Sequence, residues 1–124
     1  MVAGRGHAVG QRVLALITGI PALSADQVDQ VTGTWKEGSA DDRASAWAQL
    51  NGTTTEDERY EILAAASLAR REALETARRM RRADRAFWAA ACDASAAVAA
   101  GGRIGRYYGI LVAPFAEVMP SLAA

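Results

Sequence analysis

The chain has 124 residues, 51% of them hydrophobic, and a formal net charge of zero. That length fits one domain spanning 1–124, and the charge balance supplies no global field to draw the protein onto nucleic acid or a membrane. One cysteine, Cys92, and one histidine, His7, exclude an intramolecular disulfide and leave zinc, haem and di-iron sites without their usual ligands. Catalytic triads that need histidine have only His7 to draw on. No cofactor and no enzymatic activity are therefore expected.

Residues 1–25 have two readings. Arg5 and Arg12 precede the apolar run Val13-Leu-Ala-Leu-Ile-Thr-Gly-Ile, an arrangement that resembles a secretory signal with a short apolar region. Val9, Val13, Leu16, Ile17 and Ile20 also follow the period of an amphipathic helix. Gly19 and Pro21 interrupt the signal pattern, so a packed helix in a cytoplasmic protein is the expectation.

Pro21 ends that helix. Ser24 with Gln27 then forms a capping box, and Leu23 with Val28 a hydrophobic staple. Val28, Val31 and Trp35 give the second helix one apolar face, and Gly33 and Gly38 limit its length. Ser39 can cap a third helix, Ala40 to Leu50, with Asp41 and Asp42 in its first turn. Its inward positions are Ala44, Trp47 and Ala48, and Asn51-Gly52 ends it.

Thr53 through Ala100 contains neither Gly nor Pro. It is read as one long helix over about 55–100. Thr55 with Glu58 is a further capping box, and Glu56, Asp57, Glu58 and Glu61 complement the positive end of the helix dipole. Ile62, Ala66, Ala69, Ala73, Met80, Phe87, Ala91, Ala94 and Val98 fall within roughly 80° of arc when each residue turns by about 100°. This Ala-rich stripe allows close helix–helix approach. Arg70, Arg71, Arg78, Arg81, Arg82 and Arg85 fall within roughly 120° on the other side. Beyond Ala86 the polar face disappears, and a soluble helix apolar on every side is covered on every side. At about 1.5 Å per residue the full stretch would span roughly 70 Å, far beyond a globule whose radius of gyration is about 14 Å. Either the helix breaks, near Asp84, or another chain covers the excess.

Gly101-Gly-Arg-Ile-Gly-Arg-Tyr-Tyr-Gly109 is a glycine-rich turn. Its Gly102-Arg-Ile-Gly105 resembles the GxxG loop of KH domains, which clamps a nucleic-acid backbone, but no strand pattern accompanies it. The plainer reading is a C-cap and hinge, with Gly101 in a left-handed conformation. Pro114 starts or kinks a short last helix. No apolar run reaches the roughly 20 residues that span a bilayer, and Asp93 interrupts the nearest, so a membrane partner is not expected.

Two candidate sites follow. The six arginines of the long helix are an interaction face, suited to phosphate or an acidic partner because guanidinium pairs bidentately with such groups. Asp93 lies among apolar neighbours, and a buried carboxylate needs a partner. Arg103 and Arg106 are the nearest basic residues along the chain. A buried Asp93–Arg pair is expected to pin the C-terminal segment to the long helix, or else Asp93 is part of a ligand pocket walled by Trp88, Tyr107 and Tyr108.

The expected fold is all-α: a small bundle of three short N-terminal helices and a short C-terminal helix around the long one. The leading function is a non-enzymatic helical interaction protein that pairs with itself or with another protein through the Ala-rich stripe. A nucleic-acid-binding regulator using the Arg face, and a small-ligand or enzymatic site around Asp93, are the alternatives.

Overall fold

The computed structural model describes residues 13, 15, 16, 18–80 and 84–120. Among them every regular element is helical and none is a strand. A 3₁₀ turn, Ile20–Ala22, precedes five α-helices: α1 (Ala25–Glu37), α2 (Ala40–Thr53), α3 (Glu56–Met80), α4 (Arg85–Ala100) and α5 (Tyr108–Ala116). A 3₁₀ segment, Gly101–Tyr107, joins α4 to α5.

The helix starts are set by local chemistry. Ser24 accepts from the Gln27 amide while the Gln27 side chain accepts from the Ser24 amide, which opens α1. Ser39 accepts from the Asp42 amide at the head of α2. Thr55 and Glu58 exchange the same two bonds at the head of α3. Each box satisfies amides that would otherwise lack acceptors in the first turn. Before the 3₁₀ turn, Val13, Ala15, Leu16, Thr18 and Gly19 are helical, with Val13 and Leu16 buried and Ala15 and Thr18 exposed. Those positions fit the amphipathic pattern. The choice between signal and helix over residues 1–12 lies outside the described residues.

The stretch expected as one helix over 55–100 is two. Asp84 stands in extended backbone, φ −88° and ψ 102°, and its Oδ1 accepts from the Ala86 and Phe87 amides at 3.0 and 3.2 Å. Its Oδ2 lies 3.2 Å from the Thr32 hydroxyl of α1, which also reaches the Val28 carbonyl at 3.0 Å. Asp84 is thus an N-cap held from outside by another helix. The physical reason for the break is coverage: α3 folds back onto α4, which buries Ile62, Ala66 and Ala69 of one against the Ala-rich surface of the other. The excess length is covered by the chain itself.

The central element is α4. Phe87, Trp88, Ala90, Ala91 and every residue from Ala94 to Ala100 are buried. It packs against α3, α1, α5 and the 3₁₀ segment. Phe87 meets Trp88 edge-on at 4.7 Å and Phe115 of α5 at 5.5 Å. Gly101 caps α4 with φ +60°, a backbone that L side chains rarely adopt. Pro114 lies inside α5 rather than at its start. Beyond α5, Glu117 Oε2 accepts from Thr34 at 2.9 Å and from Gln30 at 3.2 Å, tying the chain back to α1.

Replacing Asp84 by Ala removes the cap of α4. The expected loss is about 1–2 kcal/mol of unfolding free energy by urea titration, with Asp84→Ser keeping most of it. An unchanged urea midpoint for Asp84→Ala would show that something other than the cap fixes the break.

Candidate functional site

Asp93 is half-buried at the middle of α4, and both of its oxygens are engaged. Oδ2 accepts from the indole N–H of Trp35 at 2.9 Å, and Oδ1 accepts from the indole N–H of Trp47 at 3.1 Å. Trp35 stands in the last turn of α1 and Trp47 in the middle of α2. One carboxylate therefore fastens two helices to a third. The expected Asp93–Arg pair is absent among the described residues. Two neutral donors suit the position better than a guanidinium. They leave no second charge to desolvate, and their rings add apolar cover of the kind a buried aromatic provides.

Arg103 instead makes an ion pair with Glu58 of α3 and donates to the Ala100 carbonyl at 3.3 Å. It clamps the start of α3 to the end of α4. Arg106 lies over the Tyr107 ring at 4.5 Å and contacts its hydroxyl. Trp88 faces Phe87 in the core. The carboxylate expected in a pocket has the Trp35 and Trp47 N–H groups on its two oxygens.

A groove of about 240 Å³ lies beside that node, between the α1–α2 junction and α5. Trp35, Asp42, Arg43, Ile110 and Pro114 are among its lining residues. Its polar groups already serve the fold. Arg43 stacks over Trp35 at 4.4 Å and donates to its carbonyl at 2.9 Å, while Ser39 caps α2.

Of the six arginines expected to form a face, Arg70, Arg71, Arg78 and Arg85 are exposed. Arg81 and Arg82 lie outside the described residues. Exposed Arg79 joins the group. The first four positions of α3 and the turn that follows carry Glu56, Asp57 and Glu61, also exposed. The helix is net acidic at its start and net basic at its end, where half-buried Glu72 and exposed Glu75 stand among the arginines. It also carries exposed apolar residues that the sequence analysis did not single out: Tyr60 is 75% exposed, Leu63 and Leu68 47% each, and Leu74 41%. Tyr60, Leu63 and Leu74, with Ser67 between them, follow a helical spacing that is legible in the sequence.

Cys92 is half-buried, and its thiol is pushed up from the ordinary value by burial, with Asp93 adding to the rise and Arg70 opposing it. A thiol held protonated is a poor nucleophile. Among the described residues no group of three or more His, Cys, Asp and Glu could hold a metal ion, and no helix is long and apolar enough to cross a membrane. His7 lies outside them. No family model, no curated protein and no solved structure matches this chain.

Two outcomes follow from this geometry. Asp93→Ala strands two indole donors, so it should lower the unfolding free energy by about 2–4 kcal/mol. Asp93→Asn, which keeps one acceptor, should cost roughly half as much. A loss under about 0.5 kcal/mol for Asp93→Ala, the size expected of an ordinary surface change, would refute the node's structural role.

The second outcome concerns acid. The Glu58 carboxyl is held below its ordinary range, first by the Thr55 amide and, against an opposing desolvation, by the Thr55 side chain and Arg103. A depressed folded-state value favours the charged form in the native protein. That contribution is present above about pH 4.3, the unfolded value, and is lost as pH falls through the folded one. Glu58→Gln keeps a capping acceptor but cannot titrate. Its urea midpoint should therefore fall less than that of the unaltered protein between about pH 6 and about pH 3; parallel decline of both would exclude Glu58 as a contributor.

Proposed function

We propose that this protein is a non-enzymatic helical interaction module that docks through the outward side of α3. The observation that carries the reading is the exposed stripe of Tyr60, Leu63 and Leu74 on a helix whose opposite side is already packed. Exposed single apolar residues are ordinary, but a run aligned along one helix side and rimmed by charge is the pattern of a protein-binding surface. The Ala-rich stripe first suited to pairing is filled within the chain, by α3 on α4, so the docking role passes to the side it leaves outside.

A nucleic-acid-binding regulator is the second reading, favoured by exposed Arg70, Arg71, Arg78, Arg79 and Arg85. The acidic first turn of the same helix works against it, because a phosphate backbone running along α3 would meet Glu56 and Asp57.

The test is the triple variant Tyr60→Ser, Leu63→Ser, Leu74→Ser. These side chains are exposed, so the melting temperature should shift by no more than a few degrees. Association with a copy or a partner, followed by sedimentation and by pull-down with the unaltered protein as control, should fall at least tenfold. Undiminished association by the triple variant would overturn the reading. Salt-sensitive capture of duplex DNA or RNA, lost on charge reversal of Arg78 and Arg85 but not on changing the stripe, would instead establish the second.

A further inference from the structure

We infer that the partner on this surface is a second copy of the chain, with the two α3 helices packed antiparallel across a two-fold axis near Ser67. This inference rests on the docking reading above and names its occupant. It begins from the fold: α3 contacts α4, the 3₁₀ turn Ile20–Ala22 and, through Glu58, Arg103, and among the described residues Tyr60, Leu63 and Leu74 stay exposed along it. Tyr60, Leu63, Ser67 and Leu74 fall within roughly 60° of arc on one side of α3. Their spacing of three, four and seven follows a coiled-coil seam in which Arg70 takes the intervening position.

Charge selects the occupant. Glu56, Asp57 and Glu61 lie at one end of α3, and Arg70, Arg71, Arg78 and Arg79 toward the other, all exposed. An acidic partner would answer the basic half and oppose the acidic one. A nucleic acid would do the same. A parallel copy would set like against like at both ends. An antiparallel copy answers both ends at once, and a two-fold axis makes every such match twice. Tyr60 of each copy then lies opposite Leu74 of the partner subunit, and the small Ser67 sits where the helices approach most closely. In the same register Asp57 faces Arg78 of the partner subunit on one flank of the seam. The helix dipoles are also antiparallel, which favours the arrangement.

The experiment uses the full chain, untagged, with mass measured by light scattering and sedimentation over a range of concentration and salt. A dimer is expected, weaker at high salt. Asp57→Arg alone and Arg78→Asp alone each place like charges together twice, so each should weaken the dimer by roughly tenfold or more. An equimolar mixture of those two variants restores both pairs in the heterodimer, and its dissociation constant should return to within about threefold of the unaltered protein. A parallel pair already sets Asp57 on Asp57 and Arg78 on Arg78, so neither single change would weaken it; loss in each single variant together with rescue in trans marks the antiparallel arrangement. Circular dichroism of each variant should match the unaltered protein.

A monomer at every concentration would overturn the inference. If a pull-down partner were still lost with the Tyr60, Leu63 and Leu74 changes, the docking surface would stand with a different occupant. A dimer indifferent to Asp57 and Arg78, or a mixture without rescue, would overturn the antiparallel pairing. A dimer indifferent to the apolar stripe as well would remove the surface from consideration altogether.

Discussion

A helix with almost no polar side chain has to be covered from every direction, and α4 is such a helix. From Phe87 to Ala100 its surface is mostly alanine, which buries little area per residue but lets neighbours come close. That single requirement arranges the rest. α3 turns back to lie along one side, α1 and α5 close two others, and the Gly101–Tyr107 segment bends the chain so that α5 can return. Asp84 starts α4 at the point where reversal is needed. The apolar residues of α4 thus fix the topology, while the caps fix where each element begins.

Within that apolar surround, Asp93 introduces the one requirement that packing alone cannot meet. A carboxylate at this depth must have donors. Trp35 and Trp47 supply them from separate helices and cover the site with their rings. The arrangement gives orientation as well as stability, since two indole N–H groups in fixed directions allow fewer docking angles than an alanine surface would. Small, smooth contacts permit sliding; a shared acceptor between two rigid rings does not.

Sequence legibility followed the range of each interaction. The capping boxes at Ser24 and Thr55 and the single cap at Ser39 span three residues, so their chemistry is contained in the local pattern, and all three are present. Complete coverage of the segment after Ala86 was legible because apolarity on all sides is a property of the segment. The break near Asp84 was legible only as one of two outcomes, because helix propensity runs unbroken through 80–85 and the decision lies with Thr32 and the packing of α3 on α4. Asp93's need for a partner was legible, but the partner was not. Its donors stand 58 and 46 residues away, while charge-matching pointed to Arg103, whose guanidinium goes to Glu58 on another helix. Tryptophans assigned to the apolar core supplied the polar group instead. The outward side of α3 was readable by the same periodicity that found the alanines, yet only the fold tells which of two apolar stripes is already used.

The bonds from Gln30 and Thr34 to Glu117 join residues 87 and 83 positions apart, whereas α3 and α4 are neighbours in the chain. Loop-closure entropy rises with the length enclosed, and contacts between neighbouring helices form fastest. The α3–α4 hairpin is therefore the natural nucleus, and Glu117 is a late latch on a ring that runs through nearly the whole fold. Both of its partners are exposed side chains, open to competition from water. The consequence is a hierarchy of opening: the latch frays first, releasing the end of α5 from α1, while the alanine-lined hairpin holds until the whole molecule unfolds.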